Sequence, residues 1–392
     1  MTQLPMHGAL SFEAVHQKLS KTYSHENHFA DLHLFKCEER ISGKLPLNKT
    51  VYYSSTGRTK EIEHWYAEEE SSILFGKNAV YHPKGILSVN NILFLECLTP
   101  SFVDFERMSG NCGFASISLK WGLSDFKNAN IDAIDSLDNR QMYACPYVYA
   151  SSNFGHWHYN TVASLDLINR HLPGSQLLFP SLSEYQIDSL ILLGIDMERV
   201  TMLNGTAPVA VPNFAFPSPA STWNGIPNPR LSLSMMRTMA NSCRGVNDHN
   251  FPSSKIYISR ICDGRRSISN EDDVCRLFEK YGFLVVHPTE YKYEHLTRIC
   301  MDADFLAGPT GSALTRVGFC RPGFRLLQLT FEGSHDYLWH CNACHAGASK
   351  SFTYVEEESR VMYLDARKNP NEIIGWSINI LALERFLKDI FA

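Results

Sequence analysis

The sequence predicts an α/β fold, and three observations carry that expectation. Short β-rich runs alternate with helix-length amphipathic segments through the carboxyl half. A fainter alternation of the same kind fills residues 146–203, and glycines stand where helices of that length must stop.

The carboxyl-half elements follow in order. Lys255 to Ser259 is a β-branched and aromatic run. Val274, Leu277, Phe278 and Tyr281 then repeat at helical spacing behind the acidic turn Glu271-Asp272-Asp273, and Gly282 supplies the stop. Phe283 to Val286 reads as a strand, Lys292 to Met301 as a helix, Ala303 to Ala307 as a strand, Ser312 to Phe319 as a helix and Arg325 to Leu329 as a strand. Strands alternating with helices imply a parallel sheet, whose ligands sit beyond the carboxyl ends of its strands.

Upstream, the same grammar gives a strand at Pro146 to Ala150, a helix at Trp157 to His171 and a strand at Leu177 to Phe179. A helix at Tyr185 to Leu193 stopped by Gly194 and a strand at Val200 to Leu203 complete it. The stretch Pro208 to Pro229 holds six prolines (Pro208, Pro212, Pro217, Pro219, Pro227, Pro229) and reads as an irregular connection between domains. Asn371 to Phe391, with Leu383, Phe386, Leu387 and Ile390 on one face, reads as a closing helix. Residues 1–70 show weak periodicity and are expected to be irregular. The expected organisation is therefore an extension (1–70), an amino-half domain (71–215), a carboxyl-half domain (216–345) and a terminal segment (346–392).

Composition supports two cores. The chain has 392 residues, 44% of them hydrophobic, and single cores stop growing at roughly 250–300 residues. With 36 basic and 41 acidic residues, nucleic acid is excluded as the main partner, and an anionic ligand needs a local site. Eleven cysteines without a framework pattern suit a reducing compartment. No signal-peptide pattern opens the sequence and no 18-residue apolar run occurs, so a soluble cytoplasmic protein is expected.

The most informative stretch is Gly308-Pro309-Thr310-Gly311-Ser312-Ala313-Leu314-Thr315, between an expected strand and an expected helix. Gly311 allows close backbone approach, and Ser312 or Thr310 can cap the helix, whose N–H groups and dipole then face the strand end. Such a turn either binds a phosphate or merely joins strand to helix.

The succession Tyr257-Ile258-Ser259-Arg260, Asn270-Glu271, Tyr281-Gly282-Phe283, Pro288, Glu290, Ala303, Gly308-Pro309, Gly311, Ala313-Leu314-Thr315, Phe319, Pro322-Gly323 resembles glycosyltransferase family 61. Asn153-Phe154-Gly155-His156-Trp157, with Leu193-Gly194-Ile195, is similar to that family's other signature. The resemblance spans roughly residues 145–330. It implies an inverting, metal-independent hexosyl- or pentosyltransferase of the GT-B fold, two Rossmann-like domains facing a central cleft. The donor is a nucleotide sugar, expected to be UDP-linked, with no other cofactor. The acceptor is a glycan or lipid-linked glycan in surface polysaccharide (capsule) biosynthesis, with loose association to the inner membrane where the acceptor is lipid-linked.

Within that frame the donor side comprises Arg260, Glu290, Thr310, Gly311, Ser312, Ala313, Leu314 and Thr315. Arg260 can grip phosphate oxygens bidentately; its plain alternative is pairing with Asp263 or Glu271. Glu290 can accept from a ribose or sugar hydroxyl, or be a solvated loop acid. His156 suits the acid–base step, with a pKa near about 6.5; otherwise it is a packed or helix-start histidine. His158 can substitute, Gly155 permits the turn, and Asn153 holds the loop. Three positions depart from the family pattern: Thr310 where histidine is frequent, Asn160 where aspartate is, and Gln328 where glutamate is. Each replacement removes an ionisable group, which raises the alternative of a catalytically degenerate binding or scaffold subunit.

Two metal-like patterns are set aside. Asp302-Ala303-Asp304 lies at the wrong end of its strand, well over about 10 Å from the glycine turn. His340-Cys341-Asn342-Ala343-Cys344-His345 packs its ligands too closely to surround one ion and reads as ordinary loop. A Rossmann oxidoreductase is also set aside, because no Gly-x-Gly-x-x-Gly opens a first helix.

Overall fold

The structure, a computed structural model, describes residues 9–10, 33–38, 41–43, 50–62, 66–68, 71–82, 86–89, 92–94, 137–146, 148, 153–203, 208–217, 229–245, 253–261, 267–332, 338–357, 362–363 and 373–392. The chain divides into two compact units, Met1–Ser42 with Ala67–Met235 and Gly43–Tyr66 with Met236–Ala392. The expected boundary at 215/216 thus lies upstream of the change of unit at Met235, and residues 346–392 belong to the second unit.

The sheet of the second unit runs Leu284–Val286, Lys255–Ile258, Phe305–Pro309, Arg325–Phe331, Lys350–Glu356, Thr50–Ser54, Thr59–Ile62. All neighbours are parallel except the last pair. The inner strands Phe305–Pro309, Arg325–Phe331 and Lys350–Glu356 are buried on both faces. One face packs against helices Glu271–Lys280 and Ile380–Phe391, in a core that includes Tyr257, Phe278, Phe305, Leu329, Tyr354, Phe386 and Leu387. Helices Tyr293–Met301 and Leu338–His345 both contact the 3₁₀ helix Ser312–Phe319, and right-handed crossovers place that group on the opposite face. Gly282, at φ 79°, ends its helix as expected.

The order of these strands fixes where a ligand belongs. From Lys255–Ile258 the chain steps outward to Leu284–Val286, then crosses back to Phe305–Pro309 on the other side and continues away. Connections therefore diverge between the Lys255 and Phe305 strands, and their carboxyl ends flank the crevice where ligands of open α/β sheets bind.

The first unit has a mixed sheet rather than an all-parallel one, ordered Ala9–Leu10, Ile92–Phe94, Ile86–Val89, Ser71–His82, Val209–Pro217, Tyr143–Ala144, Gln176–Phe179, Val200–Met202, with His33–Glu38 also on the Ser71 strand. The wing from Val209 to Val200 is parallel, while the Ser71 strand is antiparallel to three of its neighbours: Val209–Pro217, Ile86–Val89 and His33–Glu38. Leu74, Tyr81, Phe214, Phe216 and Leu178 share its core.

Four expectations are corrected here. The proline-rich stretch contains a nine-residue strand, Val209–Pro217. It survives Pro212 because the ladder to Ser71–His82 pairs Val211 with Ala79 and Asn213 with Lys77, leaving the proline unpaired beside Asn78 at φ 57°. On its other side the partner strand reaches only Phe214 and Ala215. Pro229, read as the end of the connection, opens helix Pro229–Ser242, where its missing N–H costs nothing. Residues expected to be irregular supply Thr50–Ser54 and Thr59–Ile62, whose apolar content is too low to announce a strand but whose backbone completes the second sheet. Most of the strand expected at Pro146–Ala150 lies outside the described residues, and Tyr143–Ala144 just before it is a strand. The closing helix begins at Ile380, because Ile373–Trp376 is a strand paired with Ser267–Ile268.

Candidate functional site

In the second unit, Arg260 follows the Lys255 strand and the turn Thr310-Gly311 follows the Phe305 strand, so the divergence point brings them together. The Arg260 Nη1 donates to the Thr310 carbonyl at 2.7 Å, and the side chain is buried. A Cβ built on Gly311 would lie 2.0 Å from that Nη1, and Gly311 has φ 146°. Glycine is therefore required twice, for conformation and for the guanidinium crossing it. Gly308 is required for closeness alone, its Cβ position standing 3.0 Å from the Ile258 carbonyl oxygen.

The turn is held from below. The Thr310 N–H donates to the Leu329 carbonyl at 2.7 Å, and Gln328 Nε2 donates to the Thr310 hydroxyl at 2.9 Å. Two of the three departures from the family pattern are thus partners of each other. Gly311 itself caps the 3₁₀ helix with no side-chain hydrogen bond, which corrects the expectation that Ser312 or Thr310 would cap it. Leu314 N–H is the first to find a carbonyl, that of Gly311; those of Ser312 and Ala313 have no acceptor among the described residues. Leu314 and Thr315 are fully buried and face inward.

Glu271, one of three acids in the first turn of its helix and an expected partner of Arg260, joins this arrangement. It is buried; its Oε1 accepts from the Arg260 N–H at 2.7 Å and from the Tyr257 hydroxyl at 3.1 Å. Burial pushes its carboxyl above the ordinary range, and Oε2 has no partner among the described residues. The expected pairing of Arg260 with Glu271 thus runs through the main chain; Asp263 lies outside the described residues. Arg316, a second buried arginine in the 3₁₀ helix, was missed, since nothing in its spacing separates it from a surface cation. Glu290 ends the 3₁₀ turn Pro288–Glu290 beyond Leu284–Val286, exposed and on the far side of the Lys255 strand from the glycine turn.

Asp302 is ion-paired with Arg298 and Arg321 at 3.0 Å each, at the amino end of the Phe305 strand. The segment read as loop at 340–345 lies in helix Leu338–His345. Its His340 is buried, with Nε2 2.6 Å from the Thr353 hydroxyl and Nδ1 against the Ser351 hydroxyl.

In the first unit, Asn153 caps the helix that carries His156. Its Oδ1 accepts from the N–H of Gly155 at 2.8 Å and of His156 at 3.4 Å. The helix opens with Phe154–His156, widens into a π turn over Trp157–Thr161 and continues as Val162–His171. Such turns concentrate at functional sites. Trp157 is buried and donates to the Ser189 hydroxyl at 2.8 Å, anchoring the turn. His156 is half-buried, and desolvation lowers its pKa, so it is neutral near pH 7. Its Nδ1 lies 3.0 Å from Asn160 Nδ2. His158 is fully buried, with Nδ1 2.7 Å from the Phe154 carbonyl oxygen.

The fold class is thus α/β, with a buried arginine and a glycine turn packed together where the connections of the second sheet diverge. Residues 154–327, which run from the capped helix through that turn, match the family described as Glycosyltransferase 61. That match supports membership of glycosyltransferase family 61, and with it glycosyl transfer as the general class of chemistry. No curated protein matches the chain significantly. Among the described residues no helix is long and apolar enough to cross a membrane.

Proposed function

We propose that the protein is an inverting glycosyltransferase of the GT-B type, taking a sugar from a UDP-linked donor to a glycan or lipid-linked glycan in surface polysaccharide biosynthesis. The observation that carries this reading is the packing of Arg260 across Gly311 at the divergence point of the second sheet. A diphosphate placed there meets a fixed guanidinium and the N–H groups of Ser312 and Ala313, which stabilise the charge that develops on the leaving nucleoside diphosphate. That charge stabilisation needs no metal. The second unit takes the donor, and the Asn153 to Asn160 segment of the first unit takes the acceptor. As the acceptor oxygen bonds the anomeric carbon, the bond to the diphosphate breaks with inversion, the diphosphate leaves with the electron pair, and the neutral His156 imidazole takes the proton of the hydroxyl. Glu290 serves at the rim of the donor site, toward ribose or sugar hydroxyls. We place this work in the cytoplasm, at the inner membrane surface when the acceptor is lipid-linked.

A thermal-shift screen over nucleotide sugars tests the donor site, because a ligand at about 100 times its Kd stabilises by about 2.7 kcal/mol. Arg260→Ala and Arg260→Lys should both lose the shift, since lysine cannot reproduce the planar fork. A shift unchanged in either variant sinks the site.

A second reading, a binding or scaffold subunit without turnover, is favoured by one observation: Thr310, Gln328 and Asn160 offer no ionisable group. Donor binding without release of nucleoside diphosphate across a full acceptor panel would select it.

A further inference from the structure

The ladder of the strand Lys255–Ile258 runs out just before Arg260. Ser259 N–H still reaches the Val286 carbonyl at 2.9 Å, whereas Arg260 N–H, the next along the chain, donates to Glu271 Oε1 at 2.7 Å. Arg260 is 5% exposed and Glu271 2%. In so dry a place an unmet N–H carries its full desolvation penalty, so the side-chain acceptor decides how the main chain leaves the sheet.

Glu271 is itself anchored. It opens helix Glu271–Lys280, and its Oε1 also accepts from the hydroxyl of Tyr257 at 3.1 Å, whose ring stacks on Phe278 of the same helix at 4.4 Å. Just before it, the Asn270 amide takes the Ile378 N–H at 3.0 Å and donates to the Ile378 carbonyl at 2.9 Å. Arg260 is therefore gripped at both ends, by Glu271 at its N–H and by the Thr310 carbonyl at its Nη1. Between those grips the side chain crosses Gly311, so a main chain out of place would carry the guanidinium off the turn. Two donors converge on Oε1, while Oε2 has no partner among the described residues and burial favours the uncharged carboxyl.

We propose that Glu271 is a positioning residue for Arg260, acting by hydrogen-bond reach and not by charge: it caps the first N–H beyond the ladder and so holds the guanidinium across the glycine turn, where the diphosphate of a nucleotide donor is taken. The identity of that ligand rests on the proposed function. The placement of Arg260 does not.

Two substitutions in the full chain separate reach from charge. Glu271→Gln keeps the length and an acceptor oxygen, which must face Arg260 because a main-chain N–H can only donate. Glu271→Asp keeps the charge and falls one methylene short. Labelling by phenylglyoxal, which modifies accessible guanidinium groups, is followed by peptide mass spectrometry at Arg260, with the buried Arg316 reporting any general loosening. Arg260 should react slowly in wild type and in Glu271→Gln, and quickly in Glu271→Asp while Arg316 stays slow. A fast Arg260 in wild type or Glu271→Gln, or a slow one in both variants, overturns the proposal. Should Glu271→Asp fail to fold, so that Arg316 reacts as well, amide hydrogen exchange at Arg260 decides it: equally slow exchange in wild type and Glu271→Gln supports the proposal, and faster exchange in the glutamine variant overturns it. Calorimetric titration with UDP reads the consequence. Glu271→Asp should bind about tenfold more weakly, the scale of one buried hydrogen bond, and Glu271→Gln should retain most of the affinity. Equal affinity in all three proteins overturns the link from Arg260 placement to the donor. Absent UDP binding by wild type, with the labelling as expected, counts against the proposed function alone.

Discussion

Gln328 and Thr310, eighteen residues apart in sequence, form one side-chain hydrogen bond of 2.9 Å in a region where neither is more than 1% exposed. The glycine turn therefore owes its placement to an amide and a hydroxyl. Gln328→Leu leaves the Thr310 hydroxyl without its donor and should cost about 1–3 kcal/mol, while Thr310→Val with Gln328→Leu removes both partners and should cost less than the sum of the single changes. Urea unfolding of the four proteins measures that coupling; strict additivity would show that the bond contributes nothing.

Gly311→Ala should be among the most damaging small substitutions in the second unit. Its new methyl must displace the Arg260 guanidinium as well as hold a backbone at φ 146°. Overpacking and backbone strain together amount to about 2–5 kcal/mol. In an Arg260→Ala background the steric part disappears, so the same substitution should cost measurably less by thermal or denaturant unfolding. An equal cost in both backgrounds would place the strain in the backbone alone.

Asn153→Ala removes the acceptor for two helix-opening N–H groups. The expected loss is about 0.5–2 kcal/mol, with Asn153→Asp restoring most of it. Hydrogen exchange should quicken at Gly155 and His156 in the alanine variant and not in the aspartate one.

Glu271 gives a pH dependence of definite sign. Its folded pKa is raised above the ordinary 4.5 by burial. The folded state therefore binds this proton more tightly than the unfolded chain, and the associated stability is present below pH 4.5 and lost as pH rises through the folded value. Glu271→Gln keeps an oxygen for the Arg260 N–H and the Tyr257 hydroxyl but has no proton to lose. Its stability relative to wild type should rise across that window, from pH 4.5 upward, as unfolding at a series of pH values will show. A difference that stays flat would mean that the carboxyl is not perturbed.

The parts of this molecule that could be read in its sequence are those in which one periodicity dominates. Ile256 to Ile258, Leu284 to Val286 and Leu326 to Leu329 are nearly unbroken apolar runs because helices cover both faces of their sheet. Gly194 and Gly282 mark helix ends because φ of 71° and 79° suits little else. Backbone pairing, by contrast, leaves no such trace. Pro212 disguised a strand whose ladder skips it, Thr50 to Ser54 pair with Ser351 through Val355, and Thr59 to Ile62 pair in turn with Thr50 to Tyr53, more than any apolar content announces. At the site, Arg260, Gly311 and Asn153 were legible by residue type and position. Arg316 was not, nor was the burial of Glu271, since burial of a charge is a property of the tertiary structure and not of its neighbours in sequence.

The pairing of Thr50–Ser54 with Lys350–Glu356 also sets a timetable. Thr56 hydrogen-bonds Glu357 across 301 positions, and a ribosome adding about 5–20 residues per second needs about 15–60 s to make the later partner. Throughout that interval the early hairpin waits with an unfilled row of main-chain donors and acceptors, open to any passing strand. The nascent chain thus has a window of vulnerability before the second sheet closes, and chaperone occupancy during synthesis should peak there, ending when residues 350–356 emerge.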